Sequence, residues 1–458
     1  MALALTSALT SIDTLLKDDR VVALKRAFSG ICDIYVVGGS VRDVLLGKAI
    51  GDIDFTCALP PEEITKISLA NNFRVFPTGL KHQTVTVLIS EESSPLASSL
   101  EITTFHGPKM RPTGGVSAGG SIEEDLGYRD FTVNALALRV TDGKLIDIAD
   151  GQKDLQDKTI RAVGDPAERF REDPLRLMRM VRFACLEGFT ADPATSTAAK
   201  SLSALLSQVS IERIRAEFTK ILTSNRPAFG LKLLATIGLL EVFLPELQNC
   251  VGFEQNKFHY HDVFDHTLEV VEKTPADEIL RLAAVFHDIG KPPTLSVDEN
   301  GERHFYKHEI DGALITRNCM ERLRYPNSTV SAVEILVRTH MRPLSAGAGG
   351  LRRLLRDTSE LFPQWRVLKE ADSLSTRTER EKMIAELKEF DITMEEIKRG
   401  PDVSPLKNLA VNGHDLIAAG IPESRRIGEL LNALHEHVLD NPADNEKSTL
   451  LELLKKLM

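Results

Sequence analysis

The chain has 458 residues, 42% hydrophobic and only 5% aromatic, with a net charge of −10. That length exceeds what one hydrophobic core usually supports, so several domains are expected. The acidic balance argues against a surface coated with nucleic acid, although a local basic site is compatible with it.

The opening "MALALTSALT" is mildly apolar, but no Lys or Arg precedes Lys17 and the run is too short to span a bilayer. Neither a secretion signal nor a membrane anchor is read there. The cysteines (Cys32, Cys57, Cys185, Cys250, Cys319) are scattered and none forms a CxxC pair. A disulfide framework and a thiolate zinc site are therefore not expected, and a reducing cytoplasm is.

Up to about residue 150, short β-branched runs alternate with helical or polar stretches: "DIYVV", "DIDFT", "FRVFP", "QTVTVLI", "LEITTF" and "KLIDIAD". From about residue 165 helical periodicity takes over, as in "DPLRLMRMVRFACL" and "IERIRAEFTKIL". The fold class is thus α+β, a head with a small mixed sheet followed by an all-α remainder. Expected boundaries are 1–150 for the head, 151–250 for a helical neck and body, 255–375 for a further domain and 376–458 for a helical tail. Residues 107–121, "GPKMRPTGGVSAGGS", read as a mobile glycine-rich loop.

Within the head, "GGSVRDVLLGKAIGDIDF" (38–55) carries the densest chemistry. Asp52 and Asp54 flank Ile53 on an expected strand, which puts both carboxylates on one face and the isoleucine in the core. Two carboxylates so close repel unless cations neutralise them, and Mg²⁺ is held by such groups together with substrate phosphates. Gly38 and Gly39 lie between strand and helix, where backbone N–H groups can approach phosphate oxygens, and Arg42 adds a charge-assisted contact. The plain alternative is a strand end with Arg42 and Asp43 as a surface pair, and each half of the pattern alone is weak evidence against it.

Farther along, Glu101 in "LEITTF" is a candidate third carboxylate. Asp130 and Asn134, four apart, are expected on one helical face, able to meet ribose hydroxyls; helix capping by Asp130 is the alternative. In "REDPLRLMRMVRF", read as one helix, Glu172 and Asp173 sit four and three residues before Arg176, so all three reach one patch. Cytosine and adenine both present an amino donor beside a ring-nitrogen acceptor, and a carboxylate with a guanidinium can pair with either. Guanine and uracil present the opposite order.

"GGSVRDVLLGKAIGDIDF" resembles the signature of the polymerase-beta-like nucleotidyltransferases, specifically the class II tRNA nucleotidyltransferases (CCA-adding enzymes) and bacterial poly(A) polymerases. The resemblance implies that Asp52 and Asp54 bind catalytic Mg²⁺. "YRDFTVNA" is similar to the family's RRDxxxNA motif, implying ribose and phosphate contacts by Arg129, Asp130 and Asn134, with Tyr128 where the first Arg is common. "LIDIADGQKDL" resembles the third motif, with Asp147 and Gly151 matching, for which the family suggests a hinge. The EDxxR motif, matched by Glu172, Asp173 and Arg176, is assigned to selection of C and A, and "IERIRAEFTKIL", with Arg213, to a supporting helix.

The second half resembles the HD domain fused to some members. His266, His287, Asp288, His308, His340 and Asp372 occur in the order of HD phosphohydrolases, with Lys291 placed to meet a phosphate. Imidazole and carboxylate ligands suit a transition-metal ion, implied at His266, His287, Asp288 and Asp372. Adjacent His287 and Asp288 cannot share one helical face by simple periodicity, so a helix end or bend is implied there.

The resemblance as a whole implies a template-independent enzyme adding C and A from CTP and ATP to the tRNA 3′ end. It also implies HD phosphatase or 2′,3′-cyclic phosphodiesterase activity. A CC-adding or A-adding partial enzyme and a poly(A) polymerase stay open, because the 107–121 loop keeps Lys109 and Arg111 but has no carboxylate. From a different class, an HD phosphohydrolase or RNA-binding protein with an inactive head stays open as well. No membrane partner is expected, and no oligomeric state is read.

Overall fold

A computed structural model describes residues 12–76, 83–89, 98–105, 120–255, 261–376, 379–403 and 405–457. The glycine-rich loop expected at 107–121 falls almost wholly outside them. By packing, the chain divides into two units, Met1–Val209 and Ser210–Met458.

The first unit is built on a seven-stranded mixed sheet. Its strands are β1 (Ile34–Val37), β2 (Asp54–Cys57), β3 (Arg74–Phe76), β4 (Thr84–Ile89), β5 (Ser98–Thr104), β6 (Leu136–Arg139) and β7 (Leu145–Asp147), in the order β3-β4-β5-β2-β1-β6-β7. The pair β2–β5 is parallel and the other neighbours are antiparallel. All four residues of β1 are buried, as a central strand covered on both faces requires.

Three local expectations are corrected. Asp52 lies outside the strand, which begins at Asp54, although the alternation holds: Ile53 is 2% exposed between two exposed aspartates. The segment from Asp130 to Asn134 is not an α-helix but a single 3₁₀ turn, Thr132–Asn134, running into β6. Leu136, Ala137 and Leu138 are fully buried, and such a continuous apolar run cannot be told from a buried helix by periodicity.

The helix expected through the EDxxR motif is broken. One helix, Pro166–Glu172, ends before Asp173, whose φ of −141° and ψ of 98° are extended, and the next, Arg176–Ala184, begins three residues later. Pro174 lacks an N–H and pushes the residue before it out of the helical region.

Among its described residues the second unit is helical apart from one antiparallel hairpin, Leu295–Val297 with Arg303–Phe305, a departure from an all-α remainder. In the first unit, Thr159–Ile160 and Thr190–Ala191 add a short parallel pair. Among the described residues no helix is long and apolar enough to cross a membrane.

Candidate functional site

The head unit holds a cleft of about 560 Å³. Gly38, Gly39, Arg42, Asp54, Glu101, Arg129, Asp130, Asn134, Asp173 and Arg176 all line it. Residues 138 positions apart in the sequence, from Gly38 to Arg176, are therefore brought to one space. Asp52 and Glu172 are not among the lining residues.

Gly38 has φ of +67°, which favours glycine, and an added Cβ would come 2.8 Å from the Arg129 guanidinium. The next residues open the short helix Gly39–Leu45, so the strand β1 ends in a turn facing the cleft. The Ser40 hydroxyl donates to the Asp52 carbonyl at 3.0 Å and accepts the Asp54 N–H at 3.1 Å. One side chain thus clamps the glycine turn to the aspartate segment.

Asp54 and Glu101 are register partners across β2–β5. Burial raises the Asp54 pKa, Arg129 opposes that shift and the charge of Asp52 adds to it. A carboxylate at the cleft surface whose charge is opposed by a neighbouring carboxylate is the donor set a hard divalent cation relieves.

Asp130 and Asn134 do meet, by a hydrogen bond rather than on a helix face. The Asn134 amide donates to Asp130 at 3.1 Å, the Phe131 N–H donates at 2.8 Å, and Arg179 Nε donates to the second oxygen at 2.8 Å. Burial would raise the Asp130 pKa, but Arg179 and these donors outweigh it and hold the carboxyl below its ordinary value. Arg42 Nη1 donates to the Asn134 oxygen at 2.6 Å, completing a chain from Arg42 to Arg179.

At the helix break, Arg176 is held from behind. Its guanidinium donates to the Tyr128 carbonyl at 2.7 Å, the Arg169 carbonyl at 3.2 Å and Glu172 at 3.0 Å. The Glu172 carboxylate also pairs with Arg169. Asp173, by contrast, accepts the Leu175 N–H at 3.2 Å and faces the cleft.

In the second unit, His287 caps the helix Glu278–Phe286, the expected helix end before Asp288. His266, His287, His308 and His340 are all at most 5% exposed, around Asp288 at 2%. One Asp288 oxygen lies 3.5 Å from His266 Nε2 and 3.2 Å from His287 Nε2. The other lies 3.4 Å from His308 Nε2 and 3.7 Å from His340 Nε2. Asp372 is 3.2 Å from His266 Nε2, and Lys291 Nζ donates to Asp288 at 2.6 Å.

Burial opposes the Asp288 and Asp372 charges, yet the surrounding cations hold both carboxyls below their ordinary values. An added Cβ at Gly290 would sit 2.2 Å from the His308 carbonyl, so glycine is what lets the two segments close on the cluster.

Residues 34–161 match the Poly A polymerase head domain, 188–250 the probable RNA and SrmB-binding site of polymerase A, and 259–377 the HD domain. The A-adding tRNA nucleotidyltransferase of Deinococcus radiodurans is 31% identical over 88% of this chain and 90% of its own length. The chain belongs to the tRNA nucleotidyltransferase family. The CCA-adding enzyme of Levilactobacillus brevis, another member of the family, is 31% identical over 92% of both chains. The CC-adding tRNA nucleotidyltransferase of Thermus thermophilus is 33% identical over 88% and 89%.

The crystal structure of the Bacillus stearothermophilus CCA-adding enzyme in complex with CTP aligns with a TM-score of 0.68 at 26% identity, covering 96% of this chain and 97% of that one. This family's head and the HD family generally use divalent metals. The chain is a nucleotidyltransferase.

Sequence reasoning missed Arg179 and Arg182, which line the cleft three and six residues beyond Arg176. The signal was present as the i, i+3, i+6 arginines on the helix Arg176–Ala184, with the intervening residues buried. Arg213 lies in the second unit, exposed in the first turn of the helix Ile211–Leu222.

Proposed function

We propose that the protein adds C and A from CTP and ATP, without a template, to the 3′ end of tRNA. The observation that carries this reading is the one cleft lined by Asp54 and Glu101 together with Asp173 and Arg176. In the reaction the terminal 3′-hydroxyl oxygen forms a bond to the α-phosphorus, the α–β bridging P–O bond breaks, and pyrophosphate leaves. The hydroxyl proton departs to solvent.

Asp52, Asp54 and Glu101 would hold Mg²⁺, which when bound neutralises phosphate charge and activates the attacking hydroxyl. The turn at Gly38 and Gly39 with Arg42 and Arg129 would bind the phosphates. The Asp130–Asn134 pair would orient the ribose, with Asp130 kept ionised by Arg179. Asp173 and Arg176 would read the base edge, an acceptor beside a donor, while Glu172 holds Arg176 in place.

Incorporation into tRNA ending at the discriminator base, with CTP alone, ATP alone and both, tests this reading. Addition of C, C and A is expected. A product ending at CC, or a long A tail, would replace it with one of the narrower activities. No incorporation under any condition would leave only the HD or binding readings. The three named relatives add A, CCA and CC, so the comparison supports the reaction and the nucleotide set has to be measured.

The HD cluster favours a second activity, phosphoester hydrolysis on a transition metal. His266, His287, Asp288 and Asp372 would hold one ion. His308 and His340 extend this set. Each directs Nδ1 at a backbone carbonyl, Phe305 at 2.8 Å and Val337 at 2.6 Å. A carbonyl only accepts, so in the neutral ring the proton is on Nδ1 and Nε2 carries the lone pair. Both Nε2 atoms are buried without a hydrogen-bond partner, and both face an Asp288 oxygen. Lone pair against carboxylate is repulsive unless a cation lies between them, which fits a second ion with Asp288 shared. With all five cysteines free thiols, the cytoplasm is the compartment we assign.

A further inference from the structure

Phe183 closes one wall of the head cleft and is only 5% exposed. Three guanidinium groups gather on its ring: the Arg182 Cζ lies 4.1 Å from the ring centroid, Arg42 5.0 Å and Arg179 5.3 Å. All three arginines line the same cleft. They come from distant parts of the chain, Arg42 from the helix Gly39–Leu45 and the other two from the helix that carries Phe183 itself. Phe131 packs edge-on against Phe183 at 5.7 Å and 73°, an aromatic contact that helps orient the ring.

Three like charges converging on one point repel one another in a partly desolvated cleft. Carboxylates answer part of this, Asp43 for Arg42 and Asp130 for Arg179. A carboxylate at the centre of the group would quench the positive potential, whereas the negative face of an aromatic ring attracts cations without cancelling their charge. The ring thus adds to these ion pairs an attraction that consumes no positive charge, in a wall of three guanidinium groups lining the cleft. An incoming nucleotide carries its largest negative charge on the triphosphate.

We propose that Phe183 is a positioning residue for the triphosphate: its ring gathers Arg42, Arg179 and Arg182 into one cationic wall that the β- and γ-phosphates meet. This rests on the nucleotide-binding reading of the cleft. It predicts that the electron density of the ring, rather than its volume, sets affinity for polyphosphate.

The test replaces Phe183 in the full chain with 4-fluoro-, 3,5-difluoro- and 3,4,5-trifluorophenylalanine, which weaken the ring's negative face and nearly keep its shape. Phe183→Leu and Phe183→Tyr are made alongside. Dissociation constants are measured for CTP, inorganic tripolyphosphate and CMP, with melting temperature as the fold control. The expected result is a stepwise loss of CTP and tripolyphosphate affinity along the fluorine series, reaching about fivefold or more. CMP binding should stay within about twofold, and Phe183→Tyr should retain wild-type affinity.

CTP and tripolyphosphate affinities that stay flat across the fluorine series, or an equal loss for CMP, would overturn the proposal and leave Phe183 as a packing residue. If Phe183→Leu does not fold, the fluorinated chains still decide. Failure of the wild-type protein to bind CTP or tripolyphosphate would instead overturn the nucleotide-binding reading beneath it.

Discussion

Asp54 on β2 and Glu101 on β5 stand side by side as register partners in the parallel pair of the head sheet. Parallel neighbours present their side chains to the same face at the same height, so a carboxylate 47 positions away becomes part of the Asp54 environment. Asp54→Asn is expected to reduce nucleotide addition by about a thousandfold or more, since it removes a carboxylate from the set that would hold the metal. Glu101→Gln should lower the rate by about tenfold and raise the Mg²⁺ concentration for half-maximal activity. Single-turnover addition across a Mg²⁺ titration checks both. A Glu101→Gln enzyme with an unchanged Mg²⁺ midpoint would remove Glu101 from the site.

Ser40 joins the glycine turn to the aspartate segment through one hydroxyl. Ser40→Ala deletes both hydrogen bonds, which should cost about 1 kcal/mol of head stability. Freed from the clamp, the aspartate segment should lower kcat by about tenfold while the KM for CTP changes little, because the phosphate turn is intact. Ser40→Thr should recover most of the loss. A large KM effect with normal kcat would show that the hydroxyl serves the nucleotide directly.

Glu172 and Asp173 are neighbours in sequence but differ in placement, since Arg176 is pinned by two backbone carbonyls as well as by Glu172. Glu172→Gln should therefore weaken discrimination against UTP and GTP by less than about tenfold. Asp173→Asn turns an acceptor into a mixed donor and acceptor at the cleft surface and should cost about a hundredfold or more in C and A selection. Measuring kcat/KM for all four nucleotides with each variant decides the order. Equal effects would mean that both carboxylates contact the base.

Metal analysis addresses the HD cluster without relying on a substrate. The purified chain, reconstituted with Mn²⁺ or Ni²⁺, should hold two ions in this unit. His308→Ala with His340→Ala should hold one, and His287→Ala with Asp288→Ala none. Removal of the ions with a chelator should abolish HD hydrolysis. One ion per wild-type chain would reduce the cluster to a single-metal site.

Gly290 is the point of closest approach beside that cluster. Gly290→Ala drives a methyl group into the His308 carbonyl, at an expected cost of about 2 kcal/mol or more and with loss of bound metal. Thermal denaturation with and without metal measures it. A normal melting temperature with full metal content would show that the backbone there gives way easily.

The sequence by itself determined the α+β division, most of the head strands and the two groups of chemistry, because those signals are local. Alternating β-branched runs, a double glycine before Asp-x-Asp and histidines at spaced intervals are all read within windows of a few residues. It also implied a helix end or bend at His287 and Asp288, since adjacent ligands cannot share one helical face, and the structure made it a helix end. What only the tertiary structure decided is which of these groups meet and how.

β6 was hidden because its core is a short apolar run whose type depends on burial between β1 and β7. The EDxxR break was written in Pro174, yet its consequence, Asp173 in the cleft and Glu172 behind Arg176, follows from where two helices pack. The Phe183 cluster joins Arg42 to a helix some 140 positions later, and no periodicity reports such a pairing. Contacts of that range are set by the packing of whole elements, where side-chain shape and burial outweigh local preference.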